Sequence, residues 1–456
     1  MMCTFDKKVP GKILENSCLF KFTLMSRKFI LALNPKLVLV FLLYMFFLSA
    51  MFSAYGQDTV SDTLKLTIKQ AEDRFLKNNL QLLAQHYNID IADAQVITAR
   101  LFPNPDFSIS NGIAGTDEPN PANEQSASIS QLITTAGKRN KSIRLAKIGV
   151  EQAKYQFFDL IRTLKFTLRN DFYTVYFQRQ SAKVYNQEIS SLDKTLTAYK
   201  DQYAKGNIAE KELLRIQAQL YSLQVEYNGL LTGIDTTESQ LKLMLRIQPV
   251  TPIDPQVAGD IAGKETLTSM PYQRLLDSAY INRYDLQYSK ITVDYNNMNL
   301  ELQKATAVPD VSLSLNFDKL GSYGHNFLSA GISLPIPLFN RNQGNIKQAH
   351  LQVDQSKVQL QSQQSTVESD VATNYKIALR LEKLYNSFDP KFKQDFNHLI
   401  EEVFKNYEKR NISMLEFLDF YDSFKTNTLQ LNSLLLSRIT SLEQLNYVTG
   451  TPFFNQ

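Results

Sequence analysis

An internal repeat constrains this chain most, because the sequence matches itself at an offset of about 204 residues. The match is carried by three segment pairs that occur in the same order in each half: NPDFSIS (104–110) with VPDVSLS (308–314), ISQLITTAGKRNKSI (from 129) with ISLPIPLFNRNQGNI (from 332, one residue out of step), and YAKGNIAEKELL (from 203) with YEKRNISMLEFL (from 407). Tandem copies of one sequence fold into the same structural unit twice. We therefore predict one architecture built from two equivalent units.

The chain begins with a predicted signal peptide and leader, residues 1–56. Its apolar run, LVLVFLLYMFFLSAM (37–51), follows the basic residues Arg27, Lys28 and Lys36, and small residues precede a cleavage site near Gly56. Met25 is a more natural start than Met1. The alternative is a retained membrane anchor, for which the apolar run is short. No second run is long enough for a transmembrane helix.

Removal of this leader changes the charge and the cysteine content. The full chain has 49 Lys and Arg against 45 Asp and Glu, and the leader holds seven of the basic and two of the acidic residues, which leaves 42 against 43. The remainder is close to neutral, which argues against nucleic acid as a partner. Both cysteines, Cys3 and Cys18, also lie in the leader, so the remainder has no disulfide or thiol chemistry.

Each copy opens with a predicted amphipathic helix, 67–101 and 272–307, which ends before proline. Two short segments follow in which apolar and polar residues alternate, as in VSLSLNF (311–317), and these predict a β-hairpin in each half. The second strands are predicted at 125–132 and 327–334. One apolar and one Ser/Asn face suit a membrane barrel strand. The alternative is a half-buried strand in a soluble sandwich.

A long helical hairpin follows each strand pair. Residues 138–205 contain no proline and carry apolar residues three and four apart, which predicts one helix of roughly 100 Å at 1.5 Å per residue. Its counterpart in the second copy contains Pro390, where we predict a kink. Turns at Gly206-Asn207 and Arg410-Asn411 then lead to return helices, 209–245 and 413–447.

These elements predict a chain that is mainly α-helical, with tandem long helical hairpins and four β-strands. The predicted domains are the first repeat (57–248), an inter-repeat linker rich in Pro and Gly (249–271), the second repeat (272–450) and a C-terminal tail (451–456). No motif for catalysis or a cofactor occurs, and the four histidines lack metal-ligand spacing, so we expect neither an enzyme nor a metal site.

From Leu64 to Gly450 this arrangement closely resembles the TolC outer-membrane efflux family. The junctions TTAGKRNKSI and PIPLFNRNQGNI resemble its heavy-metal cation efflux (CzcC-like) branch. The resemblance implies a homotrimer whose strands close a twelve-stranded β-barrel in the lipid bilayer of the cell outer membrane. Its helices would extend as a tunnel into the periplasm of a Gram-negative-type bacterium. The implied partners are a periplasmic adaptor (membrane fusion) protein and an inner-membrane pump of the resistance-nodulation-division type.

The resemblance also implies a gate and a latch near the tips. Glu416 and Asp419 match the family's acidic gate positions, where three subunits would form a carboxylate ring that attracts cations. The alternative is two solvated acids on a helix surface. Tyr407 and Glu212 match a pair that holds the entrance closed. Ile412 stands where the family has a basic latch residue, and Arg410 is a candidate replacement.

The tips are the predicted contacts for the adaptor, and they comprise Lys205, Gly206, Asn207, Ile208, Lys409, Arg410, Asn411 and Ile412. Ordinary turn chemistry explains the same residues. The resulting hypothesis is a passive outer-membrane channel for metal cations or small toxic molecules. The alternatives are a structural coiled-coil or adhesin stalk and a periplasmic adaptor without a channel of its own.

Overall fold

The computed structural model describes residues 63–113, 124–257, 267, 270–321, 324–389 and 391–454; the predicted leader, the loop at 115–123 and Pro390 lie outside these ranges. The first repeat contains β1 (Leu64–Thr67), α1 (Ile68–Asn78), α2 (Leu80–Arg100), β2 (Asp106–Asn111), β3 (Gln125–Ile133), α3 (Lys138–Ala204) and α4 (Glu210–Leu245). The segment between the repeats contains β4 (Ile253–Gln256). The second repeat contains α5 (Tyr272–Asn282), α6 (Tyr284–Thr306), β5 (Val311–Gly321), β6 (Gly324–Ser333), α7 (Gln343–Asn386), α8 (Phe392–Glu408) and α9 (Met414–Thr449). The predicted mainly helical architecture with a small sheet is confirmed.

The opening helix of each repeat is divided in two, so the prediction of one continuous helix at each place was wrong. Asn79 has an extended backbone between α1 and α2, and its side chain accepts a hydrogen bond of 3.0 Å from the Leu82 amide. Arg283 takes the same position between α5 and α6, with φ −74° and ψ 115°. A break of one residue leaves apolar periodicity on both sides, and periodicity alone therefore does not detect it.

The four predicted strands form one antiparallel sheet in the order β2-β3-β5-β6. The two repeats meet in its middle, where Ile129 of β3 lies opposite Leu315 of β5. The register aligns polar residues in one row across all four strands: Ser108, Ser128, Asn316 and Ser329. A neighbouring row is apolar and exposed: Phe107, Ile129, Leu315 and Ala330. The sheet thus has one polar and one apolar face, as the alternation predicts.

A second, parallel pair of strands joins the two repeats at their starts. β1 pairs with β4, with Leu64 opposite Ile253, and β4 lies inside the segment predicted as a linker. Glu238 accepts a hydrogen bond of 2.9 Å from the buried Ile253 amide. This ribbon was not predictable from the sequence pattern, because the segment is short and contains proline, which is unfavourable in strands.

The long helix of the first repeat is confirmed as one element, α3. In the second repeat the arm is divided into α7 and α8, with the break between Asn386 and Phe392, on either side of the predicted kink. Apolar residues of α7, including Val353 and Val367, are buried. On the same helix, Asp370 accepts a hydrogen bond of 2.9 Å from Arg283.

At the tip end, four helices share one apolar core. Its members come from α3, α4, α8 and α9, and the buried ones include Leu192, Ile216, Val403 and Phe417. Farther from the tips, α7 and α9 are joined by a buried ion pair in which Arg438 Nε lies 2.7 Å from Glu382 Oε2. The two hairpins of one chain are therefore packed against each other close to their tips.

Candidate gate and latch at the helical tips

The two tips have the same backbone geometry. Gly206 has φ +74° and donates its amide to the Tyr203 carbonyl at 2.9 Å. Arg410 has φ +60° and donates to the Tyr407 carbonyl at 2.9 Å. Left-handed backbone favours glycine, which occupies this turn position in the first copy. In the second copy the same backbone conformation is adopted by Arg410, for which it is less favourable. The Arg410 side chain is exposed at the tip.

The asparagine of each tip closes its turn. The Asn207 side chain donates to Gln202 Oε1 at 2.9 Å, and that of Asn411 donates to Asn406 Oδ1 at 3.1 Å. Ile412 is half-buried and packs against the apolar core at the tip end. This packing explains an apolar residue where the resembled family has a basic one. Both tips are ordered turns that expose lysine and asparagine; their role as adaptor contacts stays a prediction.

Glu416 and Asp419 lie on the first turns of α9, and both are exposed. Ser413 and Glu416 form a capping box. The Glu416 carboxylate accepts hydrogen bonds from the Ser413 amide at 2.8 Å and hydroxyl at 2.9 Å, while the Glu416 amide donates to the Ser413 hydroxyl at 3.2 Å. The hydrogen bond from the Ser413 amide, followed by that from its hydroxyl, lowers the pKa of Glu416.

The two predicted gate acids are therefore not equivalent. Glu416 is fixed by the helix cap, whereas Asp419 has no hydrogen-bond or ion-pair partner among the residues that the structure describes. In the first copy Glu212 occupies the place of Glu416, but Ala209 stands at the cap and cannot bond to it through a side chain. Both carboxylates are exposed, and they differ in that only the Glu416 side chain is held by the helix cap.

The second predicted latch residue, Tyr407, does contact the first hairpin, through Tyr199. Its hydroxyl donates to the Tyr199 hydroxyl at 2.6 Å, and its ring stacks on Phe417 with 4.1 Å between centroids. Burial, the bond with Tyr199 and the nearby charge of Glu212 all raise the pKa of Tyr407. Glu212 thus lies near Tyr407, but the Tyr407 hydroxyl is hydrogen-bonded to Tyr199.

Sequence reasoning missed Tyr199 and Phe417. The repeat draws attention to Tyr407 through its counterpart Tyr203, but the counterpart of Tyr199 is Val403, and a tyrosine opposite a valine gives no signal. Helical spacing gives a weak signal for Tyr199, since Tyr199 and Tyr203 are four residues apart and share a face of α3.

Two features are absent from the residues that the structure describes: a cluster of metal ligands and a membrane-spanning helix. Within the described ranges, no three or more His, Cys, Asp or Glu residues are grouped so that they could hold a metal ion. None of the described helices is sufficiently long and apolar to cross a membrane.

Comparison with known proteins identifies the family. The model of the family "Outer membrane efflux protein" matches residues 72–245 and 275–451. A curated relative, the cobalt-zinc-cadmium resistance protein CzcC of Cupriavidus metallidurans, is 21% identical over 296 residues, which are 64% of this chain and 68% of the relative.

Solved structures share the fold. The CmeC outer membrane channel of Campylobacter jejuni has a TM-score of 0.69 at 18% identity, and the match covers 85% of this chain and 87% of the CmeC chain. The open-state MtrE outer membrane channel of Neisseria gonorrhoeae has a TM-score of 0.66 at 17% identity, with 84% and 89% covered.

The family match covers both repeats, from the first helices to the end of α9, and its two segments follow the predicted duplication. A stalk or an adaptor is not favoured, because the matched family is one of outer-membrane efflux channels, which work with an adaptor and an inner-membrane pump. The chain therefore belongs to the outer membrane efflux protein family, and it is the outer-membrane channel component of an efflux system.

Proposed function

We propose that three copies of this chain close one twelve-stranded barrel and continue it as a helical tunnel, through which metal cations pass. One observation carries the trimer: the sheet ends at β2 and β6 while its apolar face is exposed. Closure removes sheet edges, and four strands are too few to close alone. Three sheets joined edge to edge supply both the missing partners and a continuous apolar outer face.

Metal cations are the proposed substrate class because the curated relative CzcC is named for cobalt, zinc and cadmium resistance. An acidic constriction suits them, since rings of carboxylates select cations. The alternative is export of small toxic molecules. Conduction is passive in this proposal, the chain has no enzymatic activity, and a pump of the resistance-nodulation-division type supplies the energy.

Within this duct, Asp419 and Glu416 form the constriction, with Asp419 as the freer charge. Tyr407, with Glu212 beside it, latches the second hairpin to the first, and the residues of both tip turns meet the adaptor. The proposed domain division follows the repeat: 57–248 and 272–450, with 249–271 between them and a removed leader at 1–56.

The decisive experiment is conductance of the purified protein in a planar bilayer, together with its mass by size exclusion and light scattering. The proposal expects a trimer from the outer-membrane fraction that conducts and prefers cations. A soluble monomer without channels would contradict it. Substrate is tested separately: a deletion strain is challenged with cobalt, zinc and cadmium salts and with organic drugs, and sensitivity to drugs alone would overturn the metal assignment.

A further inference from the structure

A charged junction connects the two hairpins above the tip core, in which Lys425 is buried and its carboxylate partners Glu226 and Asp422 are exposed to solvent. Lys425 of α9 is 7% exposed, and its ammonium lies 3.1 Å from Glu226 Oε2 of α4 and 3.2 Å from Asp422 Oδ1. The Tyr185 hydroxyl of α3 donates to the same Glu226 oxygen at 3.2 Å. Side chains of three helices, drawn from both repeats, are therefore linked around one buried ammonium group.

Glu188 of α3 lies in this junction and is 2% exposed. Among the residues that the structure describes, its Oε1 is buried and has no hydrogen-bond partner. The titratable groups that face it are Glu226 from α4, Lys425, Asp422 and Tyr421 from α9, and Tyr185 from its own helix. A buried ionised carboxylate is expensive unless it is paired and hydrogen-bonded.

The local charges explain why this carboxyl group resists ionisation. Burial raises the pKa of Glu188 to about 8, with Lys425 opposing the shift and Asp422 and Glu226 adding to it. Lys425 already has two carboxylate partners, so ionised Glu188 would be a third negative charge around one positive charge. At neutral pH the protonated form therefore prevails.

We propose that the Glu188 carboxyl is a proton-binding site that controls the contact between the two helical hairpins. With the proton bound, Glu188 adds no further negative charge beside Glu226 and Asp422, and α9 stays packed on α3. When the proton leaves, repulsion from Glu226 and Asp422 and the loss of hydration favour separation of the hairpins. This inference goes beyond the proposed function and does not depend on the exported substrate.

The direction of the pH effect follows from linkage. The pKa of Glu188 in the packed state lies above its ordinary value of 4.5, so the packed state binds the proton more tightly. Its stabilisation is complete below pH 4.5 and is lost as pH rises through about 8. Alkaline pH therefore loosens the junction.

Two measurements on the full-length protein test the site. Infrared difference spectra should show a protonated-carboxyl band that disappears between pH 7 and 9 and is absent from Glu188→Gln. Hydrogen exchange of α9 amides near Lys425, corrected for intrinsic rates, should rise about tenfold over that interval in the wild type. Glu188→Gln should remove this rise, because the amide cannot ionise.

Asp193→Asn is the matched control, because Asp193 lies on the same helix but is exposed; it should keep both the band and the rise in exchange. A wild type without the band would overturn the proposal even if Glu188→Gln does not fold. An undiminished exchange rise in Glu188→Gln would also overturn it. Neither readout requires conduction, so failure here is distinct from failure of the proposed duct.

Discussion

The Tyr407 hydroxyl donates a hydrogen bond of 2.6 Å to the Tyr199 hydroxyl, and this bond links α8 of the second hairpin to α3 of the first. The Tyr407 ring is also stacked on Phe417 of α9. Both contacts are uncharged. A latch of this kind holds through packing and one neutral hydrogen bond, and screening by salt affects it little.

The Tyr407→Phe variant should weaken the proposed latch but keep the ring stacking on Phe417, because only the hydroxyl is removed. We expect a loss of about 1 kcal/mol in unfolding free energy. Channels of this variant should be open more often in bilayer recordings. Tyr203→Phe is the control, since Tyr203 is the repeat counterpart of Tyr407 and is exposed. Equal effects of the two variants would contradict the latch.

Substitutions at Asp419 and Ser413 should separate the proposed ion pathway from the helix cap. Asp419→Asn should reduce cation preference in bilayer recordings and leave thermal stability unchanged, because its carboxylate has no partner among the described residues. Ser413→Ala should lower stability by about 1 kcal/mol through loss of the cap. Unchanged ion selectivity in Asp419→Asn would remove Asp419 from the gate.

The capping box also predicts an acid effect. Because the pKa of Glu416 is lowered, its contribution to the stability of the helix start is present above its ordinary pKa of 4.5 and is lost as pH falls through the folded-state pKa. Hydrogen exchange at the start of α9 should therefore accelerate in acid. Glu416→Gln should show less of this acceleration, because a glutamine at this position caps without titrating. A pH response as large as that of the wild type would exclude Glu416 as its source.

The Arg438–Glu382 pair should be sensitive to loss of one partner. Both side chains are buried, so Arg438→Met leaves an uncompensated carboxylate and should cost about 3–5 kcal/mol in denaturant unfolding. The double variant Arg438→Met, Glu382→Leu should recover much of that loss, because no charge remains buried. A double variant that is less stable than the single one would contradict this account.

Two glycines with positive φ should tolerate substitution differently. At Gly450, which ends α9, an added Cβ would lie 2.6 Å from the Asn282 carbonyl oxygen, whereas nothing lies within 4 Å at Gly206. Gly206→Ala should cost about 1 kcal/mol from backbone strain alone. Gly450→Ala should cost more, because α9 must also move away from the end of α5. Thermal unfolding of both variants measures the difference, and equal losses would refute the steric argument.

Much of the fold was predictable because it depends on local pattern. Alternation in 311–317 identifies a strand, and the absence of proline in 138–205 allows one long helix. The break at Asn79 and the β1–β4 ribbon were not predictable in this way. Asn79 acts as a cap only when its side chain turns to the Leu82 amide, and Ile253 becomes a strand residue only beside Leu64.

The sequence by itself determined the duplication, the order of strands and helical arms, and the identical turns at Gly206 and Arg410. These follow from periodicity and backbone preference within each copy. Tertiary structure decided which side chains act together. It joined Tyr407 to Tyr199, fixed Glu416 in a cap while leaving Asp419 free, and buried Glu188 beside Lys425. Such pairings depend on how separate helices pack, and burial then sets the protonation and strength of each contact.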